Sequence, residues 1–130
     1  MLTMVSPRRL LQLRFGYIAA RSVGAAVELG LFTTLAQFLQ APDVATLAER
    51  LKCSERGVRV LCQALLMMGL LEGHEARLEL SEEAAAFLVE SAPGYLGGMM
   101  IATDRHWNKW GQLAEAVKMG EPPQSGIESD

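Results

Sequence analysis

Residues 46–80, TLAERLKCSERGVRVLCQALLMMGLLEGHEARLEL, decide the fold. Asp43 or Thr46 can cap a helix over VATLAERL, in which Val44, Leu47, Ala48 and Leu51 form the apolar face, and Cys53 is expected to end it. Ser54 caps the next segment, SERGVRVLCQALLMMG. There Val58, Leu61, Leu65 and Met68 recur at helical spacing, and Gly69 sits where a left-handed C-terminal residue belongs. Leu70, Leu71 and Glu72 then start a strand, Arg77 to Leu80 alternate as a second, and Gly73 to Ala76 make a polar turn. Helix, turn, longer helix and a small two-stranded wing outline a winged helix-turn-helix. That shape serves both DNA reading and protein dimerisation.

Working outward, Pro7 suits the first turn of a helix after Ser6 as its cap, and LLQLRFGYIAARSVGAAVELGLF keeps helical character, with a possible bend near Gly24. Its polar residues Arg14, Arg21 and Glu28 recur every seven positions, so they share one stripe and leave most of the circumference apolar. A surface that wide is more than a short domain covers alone. Gly16, Ala20 and Gly24 add a strip of small residues suited to close packing of helices. Gly30 punctuates before a short helix from Leu31 to Leu39, which ends by Ala41-Pro42. After the wing, Ser81 opens another helix over EEAAAFLV, and Ser91 to Gly94 break it. From Tyr95 a last long helix is predicted to run to Gly120, with Trp107 and Trp110 on one face. The fold class is therefore mainly α, a winged helix-turn-helix-like domain with long N- and C-terminal helices and a small β wing. Residues 1–120 form the domain, and residues 121–130 read as a linker or disordered tail.

The bulk properties narrow the function. The chain has 130 residues, enough for one domain with its own core; half are apolar and only 21% are charged. The mean hydropathy of +0.16 is high for a small soluble domain, as expected where part of the surface meets a partner. Arg8, Arg9, Arg14, Arg21 and Glu28 interrupt the most apolar stretch, so no membrane span or convincing signal peptide is read, and a cytoplasmic location is expected. Cys53 and Cys62 read as reduced, half-buried packing residues, and no zinc ligand set accompanies them. The net charge is only −3, but residues 1–59 carry eight basic against four acidic side chains, and residues 60–130 carry four against eleven. Such asymmetry suits a nucleic-acid face or two surfaces that meet across an intermolecular contact.

Chemistry-bearing motifs are sparse. No glycine-rich turn joins a strand to a helix, as a nucleotide site requires, and Gly97-Gly98 reads as a helix start. No GxSxG elbow is present. His74 falls in the polar wing turn. His106, between Arg105 and Trp107 and near Asp104, is the better site candidate, although a packed or surface helix position is the simpler account; Asp104 and Lys109 read as a solvated face. Met67, Met68, Met99, Met100 and Met119 suit either a core or an adaptable apolar pocket. As a recognition helix, the segment after Ser54 offers Glu55, Arg56, Arg59 and Gln63, but Glu55 and the wing's Glu72, Glu75 and Glu79 repel phosphate. A winged-helix transcription regulator, binding DNA and a hydrophobic ligand, is thus the alternative reading, and its electrostatics are poor.

Four segments carry a family resemblance. They are AARSVGAAVELGLFTTLAQ, TLAERLKCSERGVRVLCQALLMMGLLE, LELSEEAAAFLVESAPGYLGGMM and WNKWGQLAEAVKMGEP. In this order, over nearly the whole chain, they resemble the N-terminal domain of S-adenosylmethionine-dependent O-methyltransferases of the plant caffeate and bacterial polyketide-tailoring type. The resemblance implies a winged-helix-like dimerisation domain whose N-terminal helices intertwine with those of a second subunit. It implies a dimer surface on Phe15, Tyr17, Ile18, Val23, Val27 and Leu31, and a wall of the pocket for a small hydrophobic or aromatic acceptor on Met99, Met100, Thr103, Trp107 and Trp110. In such enzymes the Rossmann domain that binds S-adenosylmethionine and carries the catalytic His follows residues like GEPPQSG. The resemblance therefore implies that this chain is one part of a longer enzyme, a homodimer through this domain, with no catalytic, cofactor-binding or metal residue of its own and no activity alone. No nucleic-acid or membrane partner is expected.

Overall fold

A computed structural model describes residues 4–123, with the side chains of Thr103 and Asp104 outside the described set. The order is α1 (Arg8–Glu28), α2 (Leu31–Ala36), α3 (Val44–Leu51), α4 (Glu55–Met67), β1 (Leu71–His74), β2 (Arg77–Leu80), α5 (Glu82–Phe87), α6 (Gly97–Arg105), α7 (Trp107–Gly111) and α8 (Leu113–Met119). Helices α3 and α4 with the β1–β2 hairpin form the winged helix-turn-helix expected from residues 46–80.

The caps explain why these helices start where they do. Asp43 Oδ1 accepts from the Thr46 amide at 2.8 Å, and Ser54 Oγ accepts from the Gly57 amide at 3.2 Å. Donation from Thr46 favours the ionised form and holds the Asp43 carboxyl below its usual pKa. Ser81 does the same for α5, accepting from the Ala84 amide at 3.0 Å, and it is the one buried polar side chain among the described residues. Ser81→Ala is expected to cost about 1–2 kcal/mol in a urea melt, because the change leaves a buried amide without its acceptor. Turns follow from glycine where φ is positive. Gly30 (φ +73) separates α1 from α2, and Gly69 (φ +75) ends α4 one residue past its Met68 cap. Gly73 (φ +90) is required in β1, since a Cβ there would lie 2.2 Å from the Arg77 carbonyl oxygen.

The wing is bound to the helices rather than held free. Its strands are antiparallel, pairing Leu71 with Leu80 and His74 with Arg77 around a two-residue turn at Glu75-Ala76. Its other edges meet the α2–α3 connection, where Leu78 donates to the Pro42 carbonyl and Val44 donates to the Glu75 carbonyl, both at 2.8 Å. The core lies between: Leu31, Phe32 and Leu35 of α2 meet Leu47 of α3, Cys62 and Leu65 of α4, and Leu71 and Leu78 of the wing.

Several expected boundaries move. Pro7 is the cap of α1 rather than its first residue, and Ser6 Oγ accepts from the Arg8 amide two residues on instead of capping the helix. Helix α1 is one uninterrupted run through Gly24. Helix α2 stops at Ala36, three residues before Leu39, and Phe38 turns under the Arg50 guanidinium, 4.6 Å from the ring centre. Lys52, at φ 57, closes α3 in the left-handed region, a role expected of Cys53.

The larger correction concerns residues 95–120. In place of one long helix there are three short ones, broken at His106 (φ −94, ψ 3) and Gln112 (φ −96, ψ 8). Neither break carries a side-chain cap, and α7 and α8 bury no residue. Gly111, a poor helix former, stands next to the Gln112 break, and α7 and α8 have no buried face to override it.

Candidate dimer face and acceptor wall

Helix α1 divides into two halves. Every residue from Met4 to Ile18 is exposed, whereas Val23, Gly24, Ala26 and Val27 are buried. This split separates the six residues expected to share a dimer surface. Phe15, Tyr17 and Ile18 are on the surface, but Val23, Val27 and Leu31 pack inside the chain's own core. The reason is geometric. Helix α1 packs against α6, α4 and α2, and its far end enters the core, so the apolar stripe there is covered within the chain. Along the outer half, where Trp107 touches Tyr17, every residue stays exposed, and Leu10, Leu11 and Leu13, which are not among the six expected residues, are exposed with them. Their signal was present in the sequence: Leu11, Phe15 and Ile18 follow the same i, i+4, i+7 spacing as a core face.

The expected acceptor wall is also only partly assembled. Met99 lies 62% exposed on α6, while Met100 is half-buried against the core. Thr103 falls in α6 with its side chain outside the described residues. Trp110 is 66% exposed on α7. Trp107 meets Tyr17, with ring centroids 5.6 Å apart and planes tilted by 32°. The residue that joins the wall is thus one expected at the dimer face. No local spacing reveals a contact between residues so far apart along the chain.

The surface of α4, where a DNA-binding domain would present its reading side chains, is occupied by the wing. Gln63 donates to Glu75 Oε1 at 2.6 Å, and Arg59 pairs with Glu75 at 3.3 Å and with Glu55 at 2.7 Å. The hydrogen bond to Glu55 and the nearby carboxylates raise the pKa of Arg59 further, fixing its charge within the protein. Two of the four groups available for base contacts are therefore held by carboxylates that would themselves repel phosphate.

The remaining candidates carry little chemistry. His74 is exposed in the wing and its Nδ1 accepts from the Ala76 amide at 3.3 Å. His106 is exposed at the head of α7, where its carbonyl accepts from the Trp110 amide. Asp104, paired with Lys109 in the sequence reading, has its side chain outside the described residues. Cys53 is half-buried, as expected of both cysteines, but Cys62 is fully buried. Desolvation pushes the Cys62 thiol up to about 11, with the charge of Glu75 adding to the shift. Because only a thiolate alkylates quickly, iodoacetamide at neutral pH is expected to label Cys53 in the folded chain and Cys62 only in urea. Mass mapping of the labelled peptides reads this directly.

S-adenosylmethionine does not fit the described residues. Its carboxylate calls for backbone amides at a glycine-rich turn after a buried parallel strand, and its ribose for an acidic side chain beyond that turn. Here the sheet is a two-stranded hairpin, and the glycine within it faces the Arg77 carbonyl.

The fold is that of a winged-helix protein-interaction module. Residues 11–90 match the family model of the O-methyltransferase dimerisation domain. The chain belongs to this family. It is 40% identical over 119 residues to the N,N-dimethyltransferase OxyT of Streptomyces rimosus, covering 88% of this chain and 33% of that protein. It is 36% identical over 126 residues to the tetracenomycin polyketide synthesis 8-O-methyl transferase TcmO of Streptomyces glaucescens, covering 93% of this chain and 37% of that one. Among solved structures, human N-acetylserotonin methyltransferase in complex with SAM superposes with a TM-score of 0.80 at 28% identity, over 92% of this chain and 36% of that chain. The chain thus spans about a third of the length of the curated relatives it matches. No helix among the described residues is long and apolar enough to cross a membrane.

Proposed function

We propose that this chain pairs with a second copy of itself through the outer half of α1, and that within a longer cytoplasmic methyltransferase it supplies one wall of the acceptor pocket. The observation that carries this reading is the continuous exposure of apolar side chains from Leu10 to Ile18 on a helix whose other end is anchored in the core. An isolated monomer would leave that strip in water, and burying it at about 25 cal/mol per Å2 of apolar surface is the strongest available drive for association. Residues 1–120 act as one module and residues 121–130 as its linker.

In the whole enzyme, S-adenosylmethionine supplies the methyl group from a domain other than this one. The residues of this chain position and exclude. Met99, Trp107 and Trp110 present thioether and aromatic surface to a small apolar or aromatic acceptor, and Met100 and Thr103 are assigned to the same wall. Thioether side chains adapt to irregular apolar shapes, and aromatic faces favour planar ones. The names of OxyT and TcmO place the methyl on nitrogen in one and oxygen in the other, so the accepting atom is either. The acidic wing and its hold on Arg59 and Gln63 leave nucleic acid outside the set of partners.

Light scattering of the chain at tens of micromolar tests the pairing. The expected molar mass is twice the 14.2 kDa of the chain. A single-chain mass throughout that range rejects the proposal.

A further inference from the structure

The tip of the wing is fastened differently from its base. Leu71 and Leu78, at the base, are buried in the core, and the Leu78 amide donates to the Pro42 carbonyl. Between them no side chain from Glu72 to Arg77 is buried. Lifting this tip with its own strand pairing intact therefore exposes almost no apolar surface, so polar contacts set its cost. Among the described residues, every hydrogen bond and ion pair that joins residues 72–77 to the helices runs through Glu75. Its carbonyl accepts from the Val44 amide at 2.8 Å, and its carboxylate accepts from Gln63 at 2.6 Å and pairs with Arg59 at 3.3 Å. The other side-chain contacts of the tip stay within the wing, where His74 Nδ1 accepts from the Ala76 amide and Arg77 pairs with Glu79.

We propose that the wing tip is a flap, latched over α4 by Glu75, that opens while the rest of the fold stays intact. Latched, it holds Gln63 and places a second carboxylate on Arg59, which Glu55 already pairs. Open, it frees Gln63 and removes one of those two carboxylates, on a helix face where Arg56 is already exposed. The flap thus sets the charge that the outer face of α4 presents. Val44 reports its position. As the first residue of α3, Val44 has no acceptor for its amide within the helix, so the Glu75 carbonyl alone bonds it.

Hydrogen exchange followed by NMR in the whole chain compares the Val44 amide with the Leu78 amide, whose acceptor lies at the buried base of the wing. Val44 is expected to exchange faster, at a rate that urea well below the unfolding midpoint leaves nearly unchanged, whereas Leu78 follows the steep urea dependence of global unfolding. Glu75→Ala keeps the carbonyl that receives the Val44 amide and removes only the side chain. It should speed Val44 exchange about tenfold, the scale of one charge-assisted hydrogen bond together with a half-exposed ion pair. Val27→Ala, which loosens the core from α1, should speed Leu78 and leave Val44 as it was. The inference is overturned if Val44 and Leu78 share one urea dependence, since the tip then opens only with the whole fold. It is equally overturned if Glu75→Ala leaves Val44 exchange unchanged, or if Val27→Ala speeds both amides alike.

Discussion

Replacing Phe32 with alanine is expected to cost about 3–5 kcal/mol of unfolding free energy, the largest stability loss from any single side chain considered. Phe32 is 1% exposed and stands on α2, where α1, the wing and α5 converge. The loss combines the transfer energy of a phenyl ring with the cavity it leaves, and the surrounding leucines are held by three elements that cannot all close in. Native domains are stable by only about 5–15 kcal/mol, so the variant should be partly unfolded at 37 °C. Urea melts followed by circular dichroism measure this. A shift under about 1 kcal/mol would mean that α2 does not sit at the centre of the core.

The second large effect is on association. Glutamates at Phe15 and Ile18, three residues apart on one face of the exposed half of α1, should weaken self-association by at least about a hundredfold, close to 3 kcal/mol. Each dimer would otherwise bury four uncompensated carboxylates in an apolar seam. The monomer itself should keep its melting behaviour to within about 0.5 kcal/mol, because both side chains lie outside the core. Val27→Ala should act in the reverse manner, destabilising the fold of each chain, since Val27 is 9% exposed within the core. Sedimentation with matched thermal melts separates the two. Glutamates that unfold the chain, or that leave association intact, would remove the outer half of α1 from the interface.

These two sites also mark what sequence can and cannot convey. Asp43, Ser54 and Ser81 cap the helices expected of them, and Gly30 and Gly69 take positive φ where chain direction changes. Such features are legible because each acts within three or four residues of itself. The wing was legible for the same reason, although Gly73 and His74, expected in its turn, belong to β1, and Leu70, expected to open that strand, lies before it. The division of α1 was not. Its apolar pattern is alike along the whole helix, and only the packing of α2, α4 and α6 decides that Val23 and Val27 are covered while Phe15 is not. The breaks at His106 and Gln112 were hidden because apolar periodicity there is compatible with a helix, while the absence of any packing partner is a tertiary fact. The Tyr17–Trp107 contact, which joins the two candidate surfaces, had no local sign at all.

The central claim is that the outer half of α1 is the self-association surface, and concentration-dependent hydrogen exchange tests it residue by residue. As the chain is taken from dilute to concentrated solution, amides of residues 8–18 should become more protected, because an uncovered half-helix opens readily and a paired one does not. The wing and α4 should exchange alike at both concentrations. Unchanged protection in residues 8–18, with new protection over α4 and the wing, would contradict the account.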